Sequence, residues 1–172
     1  RPSDDDGDSG PAMAAGAMAA GMIEDAVIDG GGPRLGLCRW AAAAGAARGP
    51  AALIICVHGI LDQGAIWGPV AARLAAAGHD VVAPDLRGHG VSDHAPAGVL
   101  PTVLDFVADL ARVARQVVDR SGGGRPYVLV GHSIGSLAAA LYAAHAPDGL
   151  MHLVLVEPVT PALRDGRPAV ER

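Results

Sequence analysis

The sequence predicts an α/β domain of three layers, α/β/α, built around a mostly parallel sheet. Three observations carry this expectation. Apolar runs at Ala52 to Val57, Val81 to Ala83, Tyr127 to Val130 and Met151 to Val156 have the length and continuity of strands buried on both faces. Longer stretches between them repeat apolar residues at helical spacing. One junction, Val128 to Ser136, reads VLVGHSIGS: a strand, the pattern G-x-S-x-G, and an Ala/Leu-rich helix over Leu137 to Ala146. Strands alternating with helices imply right-handed crossovers and helices on both sheet faces.

Taken in order, residues 1–21 read as a disordered arm. Asp4, Asp5, Asp6 and Asp8 precede an Ala/Gly/Met tract, an order opposite to that of a secretory signal. Met22 to Asp29 and Arg34 to Trp40 read as a hairpin around Gly30-Gly31-Gly32-Pro33. The run Ala52 to Val57 ends in His58-Gly59. Ile66, Trp67, Val70, Ala71 and Leu74 then mark a helix that Gly78 closes. Val81 to Ala83 leads into a glycine-punctuated loop, Asp85 to Asp93. In that loop Arg87 and Asp93 read as a local ion pair or loop braces. Thr102 and Asp105 form a capping box ahead of a helix whose apolar face is Leu104, Val107, Leu110, Ala114, Val117 and Val118. After the second helix, Met151 to Val156 is a further strand. These elements give a core domain over residues 22–160 and a polar, Pro-interrupted tail over 161–172.

Composition narrows the classes of function. With 51% hydrophobic but only 3% aromatic residues, the core must be built from Ala, Val and Leu. A net charge of −5 argues against a nucleic-acid groove. No uninterrupted apolar run is long enough to indicate a membrane span. Cys38 and Cys56 lie in separate strands, with neither a CxxC pair nor metal-ligand spacing, so they read as reduced core thiols. Neither a metal nor a cofactor is expected.

At the junction, a turn this tight holds its middle residue in a strained backbone conformation. The side chain then stands clear of the sheet at the positive end of the helix. Ser133 is therefore the candidate nucleophile. Gly131 and Gly135 are required because a Cβ at either place would meet the neighbouring strand or helix.

Four features in order resemble the α/β-hydrolase fold family, in its serine-nucleophile branch. They are His58-Gly59 after a strand, the stretch Asp85 to Asp93, Gly131-His132-Ser133-Ile134-Gly135, and the strand Leu153 to Val156 ending in Glu157. The resemblance implies attack by Ser133 on the carbonyl of an ester, thioester or related acyl bond in a small-molecule substrate. It also implies an oxyanion hole formed by the amides of Ile134 and Ile60, with Leu61 as the neighbouring possibility. His58 and His132 would shape the loop or flank the pocket rather than accept the proton. Glu157 stands where some members place the catalytic acid. The family's histidine follows the last strand, and none of the seven histidines here lies beyond His152. The resemblance therefore implies an apparently C-terminally truncated fold, lacking the last strands and the cap, with residues 161–172 as the start of a cap or a truncated end.

Two further expectations follow. Strand 151–156 would be an open apolar edge, calling for a complementing C-terminal segment or an oligomer. The family's strand order would also separate Cys38 from Cys56 by one strand, too far for a disulfide. Reduced thiols and no signal point to the cytoplasm. The alternative reading is a catalytically inactive fragment of the fold, or a small-molecule binding module.

Overall fold

A computed structural model describes residues 22–28, 31–46 and 51–159, together with the pairs 163–164 and 167–168. The expected arm at 1–21 and most of the tail at 161–172 lie outside the described residues. Six strands form one sheet in the order β1-β2-β4-β3-β5-β6. They are β1 (Met22–Ile28), β2 (Leu35–Trp40), β3 (Leu53–Val57), β4 (Asp80–Pro84), β5 (Tyr127–His132) and β6 (Leu150–Val156). β1 and β2 are antiparallel to each other, and β2 is antiparallel to β4. From β4 onward every pairing is parallel. A two-residue antiparallel pair, β7 (Leu163–Arg164) with β8 (Arg167–Pro168), stands apart.

Three helices cover the sheet: α1 (Gly68–Ala76), α2 (Val103–Arg120) and α3 (Ile134–Ala143). α2 and α3 bury one face, where Leu53, Ile55, Leu129 and Tyr127 meet Phe106, Leu110 and Val113. α1 buries part of the other face, where Trp40, Ile54, Cys56 and Val81 meet Trp67, Ala71 and Ala75. The result is the three-layer arrangement expected from the strand and helix alternation. The capping box is present: the Asp105 amide donates to the Thr102 hydroxyl, and the Asp105 carboxylate accepts from the Thr102 amide at 2.8 Å.

Several local expectations are corrected. α3 starts at Ile134, three residues earlier than the Ala/Leu run suggests, because the turn passes directly into helix. Ile66 and Val70 are exposed. A 3-10 turn over Gly64–Trp67 shifts the phase of the following helix, which lies on the sheet through Trp67, Gly68, Ala71 and Ala75. Leu104 is exposed as well, since the buried stripe of α2 runs through Phe106, Leu110, Val113 and Val117. That stripe includes Asp109, 1% exposed, which Arg87 grips through Nε at 2.6 Å and Nη2 at 2.7 Å. Arg87 also reaches Asp105, and Asp93 instead accepts from the Arg34 amide. Both residues therefore brace the loop, and they do not pair with each other.

β4 separates β2 from β3, so Cys38 and Cys56 lie two strands apart; both are buried and they form no disulfide with each other. β6 ends the sheet, and Met151 to Val156 are exposed along it.

Candidate active site

In an open parallel sheet, ligands sit outside the carboxyl ends of the strands, where successive connections diverge. Here β4 lies on one side of β3 and β5 on the other, so the divergence falls between β3 and β5. His58-Gly59 leaves β3 and Ser133 leaves β5 at that point.

Ser133 holds φ 51° and ψ −122°, a conformation costing on the order of 1–3 kcal/mol, and α3 begins at the next residue. Close packing holds the turn in place. A Cβ on Gly131 would come within 2.6 Å of the Gly135 carbonyl oxygen, and one on Gly135 would run into the carbonyls of Val57 and His58. A Cβ on Gly59 would lie 3.2 Å from the Ser133 Cβ and 3.0 Å from His132 Nδ1. The loop after β3 therefore runs against the nucleophile candidate itself. Ile60 and Leu61 follow Gly59 at the surface, and Leu61 is 94% exposed with φ 62°.

His58 is fully buried beneath this loop. The Leu86 amide donates to its Nε2 at 2.9 Å, and Nδ1–H donates to the Gly59 carbonyl at 2.7 Å. An acceptor at Nε2 and a donor at Nδ1 make the ring neutral and leave no nitrogen to accept a proton from a serine. Burial holds its pKa below the ordinary histidine value. The ring thus ties the loop after β3 to the loop after β4. His132 is half-buried beside Gly59.

Asp85 binds the same region from beneath. Its carboxylate accepts from the amides of Gly64 (2.6 Å) and Val91 (2.9 Å), and its carbonyl accepts from the Ser92 hydroxyl. An open cleft beside the loop is lined by Leu61, Asp62, Gln63, Gly88, His89 and Gly90. His89 donates Nδ1–H to the Arg87 carbonyl at 3.0 Å.

Glu157 meets the elbow through the parallel register of β5 and β6, in which His132 pairs with Val156. The Ser133 amide donates to the Val156 carbonyl at 3.1 Å. Ser136, 1% exposed, donates its hydroxyl to the Ser133 carbonyl at 2.5 Å and accepts from the Val159 amide at 3.3 Å. Glu157 therefore lies between two attachments to the turn, and its own backbone takes φ 48°. The sequence does not mark Ser136, whose only signal is a small polar residue on the first turn of a helix.

Among the described residues, no histidine is hydrogen-bonded to the Ser133 hydroxyl. His79, His94 and His145 each bond backbone groups elsewhere, and His152 lies near the start of β6. No group of His, Cys, Asp and Glu that could hold a metal ion occurs among the described residues. No described helix is long and apolar enough to cross a membrane.

A family profile described as alpha/beta hydrolase fold matches residues 52–170. Lipase LipV of Mycobacterium tuberculosis is 38% identical over 110 residues, 64% of this chain and 38% of the relative. The pyrethroid hydrolase of Sphingobium wenxiniae is 38% identical over 109 residues, 60% of this chain and 35% of the relative. Among solved structures, the thioesterase domain from the curacin biosynthetic pathway superposes with a TM-score of 0.70 at 37% identity. That match covers 84% of this chain and 49% of the other. The chain spans less than half the length of these relatives. From the matched profile, the strand order and the turn at Ser133, this chain belongs to the alpha/beta hydrolase fold family.

Proposed function

We propose that the protein is a serine hydrolase that cleaves a carboxylic ester, thioester or related acyl bond through an acyl-enzyme on Ser133. One observation carries the reading: Ser133 occupies a strained turn at the head of α3, with the loop after Gly59 packed against its Cβ. Attack on a carbonyl places negative charge on the carbonyl oxygen. Amide donors aimed at it lower the barrier by about 3 kcal/mol each. Ile134, at the amino end of α3, supplies one such amide, and Ile60 supplies the other. Their exposed or half-buried side chains play no part in that role.

Glu157 is the acid in this reading. Its support is its position one residue beyond the carbonyl that receives the Ser133 amide, clamped again by Ser136. The base is a histidine supplied by polypeptide that also covers the open edge of β6, either a complementing segment or a second chain. The names of the relatives, among them a lipase, a pyrethroid hydrolase and esterases of Oryza sativa, support ester chemistry in general and leave the substrate open.

The test is labelling of the full-length protein, with the polypeptide that supplies the base present, by a fluorophosphonate probe, followed by peptide mapping. The expected result is one adduct, on Ser133, lost in Ser133→Ala. A label that persists in Ser133→Ala refutes the assignment. A second reading, a silent binding module of the same fold, is favoured by the engagement of both His58 nitrogens and the lack of a histidine bonded to Ser133 among the described residues. A folded protein that, with the base-supplying polypeptide present, takes no label and turns over no short nitrophenyl ester supports that second reading.

A further inference from the structure

The cleft beside the loop after β3 has two walls. One is Leu61-Asp62-Gln63, after β3, and the other is Gly88-His89-Gly90, after β4. Leu61 stands two peptide units beyond Gly59, at most about 8 Å along the chain. Gly59 itself runs against the Ser133 Cβ. The open space is about 370 Å³, within the range of pockets that take small molecules. Buried groups fix both walls. Asp85, 5% exposed, accepts from the Gly64 amide behind one wall and from the Val91 amide behind the other. A Cβ on Gly90 would collide with that carboxylate. The His89 ring packs edge-on against His58 and against Phe106, with centroid distances of 5.1 and 6.2 Å.

What these walls offer is hydrogen-bond acceptors. The Arg87 carbonyl can only accept, so Nδ1 of His89 carries the proton of the neutral ring and Nε2 presents a lone pair. Nε2 bonds no described residue. The one buried side-chain nitrogen or oxygen left without a partner among the described residues is Trp67 Nε1, so His89 Nε2 is accessible. Across the cleft, one Asp62 oxygen receives the Gln63 amide at 3.3 Å, and the other bonds no described residue. Neither Lys nor Arg lines the cleft. Arg87, in the same loop as His89, is committed to Asp105 and Asp109. A ligand group suited to this space brings O–H or N–H donors and no negative charge.

We propose that this cleft is a specificity subsite in which His89 Nε2 and Asp62 accept hydrogen bonds from a hydroxyl or amino substituent of the substrate. The proposal rests on the hydrolase reading and narrows its substrate class to an ester or thioester whose chain carries such a donor.

The test compares kcat/KM in the full-length protein, with the polypeptide that supplies the base present. Nitrophenyl ω-hydroxyhexanoate and nitrophenyl heptanoate differ by a terminal hydroxyl in place of a methyl group. A second pair, ω-hydroxyhexyl acetate and heptyl acetate, puts the same change on the alcohol side. One pair is expected to favour the hydroxyl by roughly tenfold or more, and that pair assigns the cleft to the acyl or the alcohol half. His89→Phe keeps the ring packing and removes Nε2, and is expected to bring the ratio below about threefold. Asp62→Ala, on the opposite wall, is expected to lower the same ratio without altering the contact between His89 and His58. Fluorophosphonate labelling separates two kinds of failure. A Ser133 adduct with neither pair favouring the hydroxyl, or with a ratio unmoved in both variants, overturns the subsite and leaves the hydrolase reading in place. No adduct and no turnover of any ester overturns the hydrolase reading, and the subsite with it.

Discussion

His58 offers the sharpest test of how the site is held. Its ring satisfies two buried backbone groups from separate loops, the Leu86 amide and the Gly59 carbonyl. His58→Ala leaves both without a partner. Each unsatisfied buried group costs about 1–3 kcal/mol, so the expected loss of folding free energy is about 4 kcal/mol. His89→Ala is the control. That ring is half-buried and makes one hydrogen bond, so its loss should be about 1 kcal/mol. Urea unfolding followed by circular dichroism measures both.

The pH dependence has a definite sign. Burial lowers the His58 pKa in the folded chain below 6.5, so the unfolded chain binds the proton more readily. The stabilisation from His58 is complete above that value and is lost as pH falls from it toward the lower, folded pKa. The free-energy difference between wild type and His58→Ala should therefore shrink on acidification. A difference below about 1 kcal/mol at neutral pH, or one that grows with acid, refutes the argument.

Three other outcomes are expected. Gly135→Ala drives a methyl group against the carbonyl oxygens of Val57, at 2.7 Å, and of His58 just after β3, both held in packed backbone. A loss of about 3 kcal/mol should appear in thermal unfolding, whereas Gly68→Ala, whose new methyl would lie 3.9 Å from Trp40, should be near neutral. Asp109→Asn removes the charge that anchors Arg87 and Arg112 in a buried setting, and should cost about 3 kcal/mol by urea unfolding. The Cys56 thiol is pushed by burial up to about 12, so at pH 8 only about one molecule in ten thousand is thiolate. Ellman's reagent should find both cysteines silent in the folded chain and titrate both in urea. Rapid reaction of either in the native state would contradict their burial.

Much of this site can be read along the chain. The strand runs, the capping box at Thr102 and Asp105, and the need for glycine at 131, which faces Gly135 and Ser136, depend on neighbours a few residues away, whereas glycine at 135 answers to the Val57 and His58 carbonyls beyond the end of β3. Arg87 shows where such reading ends. Its charge is evident, yet its main partner, Asp109, lies on the buried stripe of a helix 22 residues later. Asp85 is similar, since the amides of Gly64 and Val91 come from two different loops. The hydroxyl of Ser136 finds its second partner in Val159, 23 residues on.

Period and spacing thus establish the alternation of strands and helices, the position of the sharp turn and the identity of its serine, because those features rest on local backbone sterics. Which side chains surround that serine follows from strand order. β4 and β5 flank β3 on opposite sides, and β6 follows β5 in parallel register. That packing brings together the segments around residues 58, 86, 133 and 157. Loop-to-loop hydrogen bonds of this kind carry no periodic signal in the chain, and they exist only once the buried faces of the sheet have chosen their neighbours.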